Sequence, residues 1–157
     1  MNVREITPEV DANALLAGAQ FIDAFRLEAK CPAVNARRAA KRMIGRLPRW
    51  VDTLLALRNR LVAPFGLKTS GASKTEPREM IGIFPLLSET PDRLVAGLND
   101  KHLDFRFGVD VATSGATQVV TATTLVLTHN WLGRIYLAII LPFHRLIVRT
   151  MLRQVAA

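Results

Sequence analysis

From Asn130 to about Val155 the chain keeps helical periodicity with scarcely a polar face, and such a segment is stable only if the rest of the chain holds it. With Arg134 set at zero and about 100° per residue, Arg145 falls near 20° and Arg149 near 60°. Ile135, Tyr136, Ile139, Ile140, Phe143, Leu146, Ile147 and Met151 then fill the arc from about 100° to about 260°. Leu137, Leu141 and Val148 extend the apolar character further. One narrow basic stripe on an apolar cylinder predicts a helix gripped on several sides. Pro142 cannot donate to the carbonyl of Ala138, which predicts a kink there; Ala138 lies at about 40°, so the freed carbonyl can meet water. Asn130 is placed to cap the helix, and Gly133 to let a strand approach closely.

The elements that would do the gripping are strands. Ala19 to Leu27 alternates, with Phe21, Asp23, Phe25 and Leu27 on one face. Cys31-Pro32 ends it. Asn35 caps a helix to about Leu47, with Ala36, Ala40, Met43, Ile44 and Leu47 as its apolar stripe and Arg37, Arg38, Lys41 and Arg42 pointing away. Arg49 to Ala63 is a second helix, stopped by Pro64 and Gly66. The polar stretch Leu67 to Pro77 reads as an exposed loop, and its SGASKT lacks the spacing and context of a phosphate-binding loop. Four strands follow: Glu79 to Leu87, placed at an edge by Pro85; Arg93 to Leu98; Lys101 to Val111; and Thr117 to Thr128. In the third, Leu103, Phe105, Phe107, Val109 and Val111 face one way. Short turns between them, Gly115 in the last, predict antiparallel hairpins. The order β, α, α, four β, long α predicts an α+β fold with a curved antiparallel sheet wrapped around the C-terminal helix, as a single domain over 1–157.

Composition narrows the setting. A chain of 157 residues, half of them apolar and 22% charged, can bury about two-thirds of its unfolded surface in one core. Cys31 is the sole cysteine, so no intrachain disulfide forms, which fits a reducing, cytoplasmic location. The N-terminus carries Glu5, Glu9 and Asp11 before its short apolar patch and is no secretory signal. The longest uninterrupted apolar run, Ile135 to Phe143, is nine residues, against about 20 for a membrane span. Net charge is +8, and seven basic residues lie between Lys30 and Val51 with no acidic one, a block able to attract phosphate or an anionic membrane. Trp50 is its only aromatic residue, so base stacking with nucleic acid is not supported.

Several local patterns together resemble one bacterial family. Asn130-Trp-Leu-Gly133-Arg134-Ile-Tyr136, followed by five apolar residues and Pro142-Phe-His144-Arg145, resembles the C-terminal signature of domain-of-unknown-function family 2867. Lys101-His102-Leu103-Asp104-Phe105-Arg106 and the Asp23 strand with its paired helices are similar too, so the resemblance covers nearly the whole chain. It implies the START-like, helix-grip (SRPBCC) superfamily, whose members enclose a cavity between sheet and terminal helix. In some proteins a similar domain follows a sugar-epimerase-like Rossmann domain; this chain has no Gly-rich dinucleotide fingerprint.

Few residues point to chemistry. His102, His129 and His144 have no metal-ligand spacing and no cysteine cluster beside them, so neither a metal nor another cofactor is expected. His144 borders the apolar arc and can point into a cavity. Asp23, a carboxylate among Phe21, Phe25 and Leu27, must find a partner or a proton. Tyr136, Arg134 and Arg106 are candidates for that partner, and Asp23 with His144 or Tyr136 is the candidate acid/base pair. The residues expected to line a ligand site are Asp23, Phe25, Phe105, Phe107, Tyr136 and His144. The leading expectation is binding of a small apolar or amphipathic molecule. Proton-transfer catalysis in the same cavity (cyclase, dehydratase or hydrolase type) is the second reading, and interaction through the basic block the third. Oligomeric state stays open, a homodimer included.

Overall fold

Every adjacent strand pair is antiparallel, and the order across the sheet is β1-β2-β7-β6-β5-β4-β3. The strands are β1 (Asn2–Ile6), β2 (Phe21–Ala29), β3 (Met80–Ile81), β4 (Phe84–Glu89), β5 (Arg93–Asn99), β6 (Leu103–Ser114) and β7 (Thr117–Thr128). The helices are α1 (Ala12–Leu15), α2 (Ala36–Gly45) and α3 (Trp131–Ala156). The computed structural model describes residues 2–30, 32–45, 49, 80–81, 84–99 and 102–156. Cys31, the expected second helix from Arg49 to Ala63 and the polar loop Leu67 to Pro77 lie outside the described residues, Arg49 alone excepted.

This is the helix-grip arrangement. The register places Phe25 opposite Ala122 and Val109 opposite Ala122 on its other side, which carries one apolar row from β2 through β7 to β6. Period-two alternation puts Leu27, Phe107, Val120 and Leu94 on the same face, and all are buried. Against that face pack α2, through Ala36, Ala39, Ala40 and Met43, and the last two turns of α3, through Val148, Met151, Leu152 and Val155. Asn35 caps α2 by accepting from the Arg38 N–H at 2.8 Å, as its position predicts.

Four expectations need correction. The chain has two further elements near its start, β1 and α1. β1 is an edge strand whose only apolar residues, Val3 and Ile6, do not alternate, so its sequence carries little period-two signal. The single strand expected from Glu79 to Leu87 is two strands paired with each other, Pro85 opposite Met80, still at the far edge of the sheet. Arg37 and Arg42 do not simply point away. Arg37 pairs with Glu89 at 2.6 Å, and Arg42 donates to the Val155 carbonyl at 2.9 Å, meeting the negative end of the α3 dipole.

The fourth concerns the phase of α3. The side chains turned to the sheet and to α2 are Gly133, Val148, Met151, Leu152 and Val155, with His144, Leu141 and Leu137 on the same side. That face centres near 300° on the scale above, about 120° from the centre of the apolar arc. Much of the arc is therefore outside: Ile139 is 63% exposed and Leu146 52%. Arg149, placed in the outer basic stripe by its angle, has its guanidinium 5.6 Å from the centre of the Phe25 ring. The helix is gripped along its C-terminal half, and on one side only along the rest. By length and composition α3 could cross a membrane, but the burial of Leu152 and Val155 in the core ties its end into the fold.

Gly133 is where the N-terminal end of α3 meets the sheet. A Cβ there would fall 2.2 Å from the carbonyl oxygen of His102, a backbone atom that also accepts from the His129 N–H. Gly133→Ala should cost about 2 kcal/mol by forcing the first turn of α3 off the strand. Thermal unfolding would register this as a fall of several degrees, and an unchanged midpoint would show that the turn yields freely.

Candidate functional site

Two rows of the sheet and two turns of α3 meet below the core. The first row runs Phe21, Val126, Phe105 across β2, β7 and β6; the next runs Asp23, Thr124, Phe107. Opposite them stand Tyr136, Leu137, Ile140, Leu141 and His144, a set that one side of a helix repeats at i, i+1, i+4, i+5 and i+8. Between these surfaces is a cavity of about 100 Å³, walled by Phe21, Leu103, Phe105, Thr124, Val126 and the five helix residues. Ligand sites usually measure about 300–1,000 Å³. This one has room for about one ring or a short alkyl end.

One hydrogen-bonded pair stands at its wall. Asp23, only 7% exposed, accepts a hydrogen bond from His144 Nε2 through Oδ1 at 3.1 Å. Its Oδ2 lies 2.9 Å from the same nitrogen yet receives no hydrogen bond, since a single N–H is directed at one oxygen. A carboxylate can only accept, so Nε2 carries the hydrogen, and in the neutral imidazole Nδ1 keeps its lone pair. The ring is further fixed by edge contact with Phe21, centroids 5.7 Å apart. Thr124 Oγ1, buried in the cavity wall, has no hydrogen-bond partner. The cavity thus combines apolar walls, a hydroxyl with unused capacity and an imidazole oriented by a buried carboxylate.

Of the six residues expected to line a ligand site, Phe105, Tyr136 and His144 are in the wall of this cavity. Asp23 stands behind His144. Phe25 and Phe107 do not line the cavity; they lie in the main core, because the cavity occupies the Phe21–Phe105 end of the sheet rather than its middle. The partner shown for Asp23 is His144, while Arg106 bonds Asn99. Sequence reading did not single out Thr124. Its signal was available only through register, which sets it directly opposite Asp23.

The other two histidines have partners within the fold. His102 Nδ1 is 2.8 Å from the Asn130 side chain, whose Oδ1 caps α3 by accepting from the Gly133 N–H at 3.0 Å. His129 pairs with Asp104 at 3.0 Å. Among the described residues no group of three His, Cys, Asp or Glu could hold a metal ion. A second cavity, about 240 Å³, has a lining that mixes apolar residues such as Val10 and Val119 with charged ones, among which Arg26 pairs with Glu9 and Arg93 with Asp110. Its charges already answer one another.

A family model described as protein of unknown function, DUF2867, matches residues 15–151. No curated protein matches the sequence closely enough to count as a relative. Among solved structures, the chain is similar to Ara h 8.0201, at 9% identity and a TM-score of 0.39, over 86% of this chain and 98% of that one. It is also similar to the di-domain ARO/CYC StfQ from the steffimycin biosynthetic pathway, at 11% identity and the same score, over 86% of this chain and half of that one. Likenesses this distant carry nothing about chemistry.

Proposed function

The chain belongs to the DUF2867 family, and we propose that it binds one end of a small apolar or amphipathic molecule between the sheet and the C-terminal helix. The observation that carries this reading is the pairing of apolar walls with a single oriented imidazole. Apolar burial supplies affinity, and a few placed polar groups fix orientation. His144 Nδ1 and the Thr124 hydroxyl are the groups a ligand's polar atom would meet. The cavity volume limits the inserted part to about one ring, so the remainder of a larger ligand would extend outside.

The test is titration with a fluorescent naphthalene-sulfonate dye, beside native mass spectrometry of the purified chain for any retained molecule. Ile140→Trp fills the cavity from the helix side. It should weaken dye binding at least tenfold while the far-UV spectrum stays unchanged. Equal affinity in that variant would overturn the proposal.

A second reading, proton transfer, rests on the same pair. Asp23 within hydrogen-bond reach of His144 is the arrangement by which a carboxylate orients an imidazole and supports its positive charge. The state of the molecule recovered from the cavity separates the two: returned unchanged for binding, converted for catalysis. Under the catalytic reading Asp23→Asn would abolish conversion while leaving dye affinity within about threefold, since the amide keeps the shape and loses the charge. The basic block is the weakest candidate, because Arg37 and Arg42 are engaged within the fold.

A further inference from the structure

Among the described residues, the outer face of α3 is the largest exposed apolar feature. Trp131, Ile135, Ile139, Phe143 and Leu146 are all exposed, Trp131 by 67%. They recur at intervals of three and four residues, so they form one stripe along the helix, about 22 Å long at 1.5 Å per residue. Singly exposed apolar side chains are ordinary; a contiguous stripe of five large ones marks a contact surface.

Charge identifies the occupant. Beside the stripe, at about 0° and about 20°, stand Arg134 and Arg145, both exposed. Arg145 faces Glu5 at 3.8 Å, with both side chains exposed. The 26 residues of α3 include four arginines and no acidic residue, within a chain of net charge +8. A second copy of this chain fits poorly, since a two-fold contact would set this arginine-edged stripe against its own image with no carboxylate on the helix to answer it. A bilayer bearing anionic headgroups answers both features: acyl chains for the stripe, phosphates for the arginines, and the headgroup level for the indole of Trp131.

We propose that the exposed face of α3 docks the protein on an anionic lipid surface, with Ile135, Ile139, Phe143 and Leu146 in the acyl boundary and Arg134 and Arg145 at the phosphates. The helix lies in the plane of the interface, because its last two turns remain in the core. The face borders the cavity residue by residue, Ile139 beside Ile140 and Phe143 beside His144, but the docking stands whether or not the cavity takes a ligand.

The test is co-sedimentation of the full chain with vesicles of phosphatidylglycerol and phosphatidylcholine in equal parts, and with vesicles of phosphatidylcholine alone. Binding to the mixed vesicles should exceed binding to the neutral ones at least tenfold and fall with added salt. Tryptophan emission should shift to the blue on the mixed vesicles, and Trp131→Phe should remove that shift. Ile139→Asp, at an exposed position, should reduce sedimentation at least tenfold with an unchanged melting temperature; Arg134→Glu should erase the preference for anionic vesicles. Ile140→Trp should leave sedimentation unchanged, which separates this proposal from the cavity. No sedimentation with either vesicle, or sedimentation indifferent to both Ile139→Asp and Arg134→Glu, would overturn it. So would a dimer in analytical ultracentrifugation that Ile139→Asp dissociates.

Discussion

His144→Leu should destabilise the protein by about 3 kcal/mol, Asp23→Leu by about half as much, and the double replacement by less than either. The asymmetry follows from what each change leaves behind. Without His144, the Asp23 carboxylate remains 7% exposed, with both oxygens unanswered among Phe21, Thr124 and the helix. Without Asp23, the imidazole is 15% exposed and able to turn its N–H toward the cavity. Removing both takes away two polar groups and restores apolar contact, the case in which a buried pair is often replaced at little cost. Urea unfolding of the wild type and three variants closes the cycle. Additive single effects would mean that the two side chains do not depend on each other, and the case for an oriented imidazole would fail with them.

Where the sequence was readable, local and global preferences agreed. β7 is rich in Thr and Val, and its ends fall where the residue pattern places them, Thr117 and Thr128. α2 alternates arginine with alanine and methionine so sharply that its buried face follows from periodicity alone: Ala36, Ala40 and Met43 are inside as expected. The isolation of Asp23 among phenylalanines signalled a partner. Which partner depended on where α3 crosses the sheet, a distance in space that no spacing along the chain encodes. The phase of α3 was unreadable for a related reason. A helix apolar over most of its surface defines its inner face only weakly, and here the widest apolar arc faces outward. The better markers were small and polar: Gly133, which only a close backbone approach requires, and His144, on the side that meets Asp23.

That reversal leads to the sharpest contrast along one element. Leu152→Ala should cost about 3 kcal/mol, and Ile139→Ala no more than about 0.5. Leu152 is fully buried in the cluster that holds Met43, Phe107 and Val109, so truncation leaves a void in which the surrounding core side chains lose contact atoms. Ile139, at 63% exposure, has little packing to lose, and alanine is the better helix former. For a domain of this size the first change should lower the melting temperature by roughly 6–12 °C and the second by a degree or two at most. A helix clasped along its whole length would respond to both. If Ile139→Ala proved as costly as Leu152→Ala, the stripe would be a packing surface within the fold, and the apolar face offered to a lipid surface would not exist. If only Leu152→Ala is costly, stability comes from the C-terminal half of α3, and the N-terminal half keeps one side for the cavity and the other for a partner.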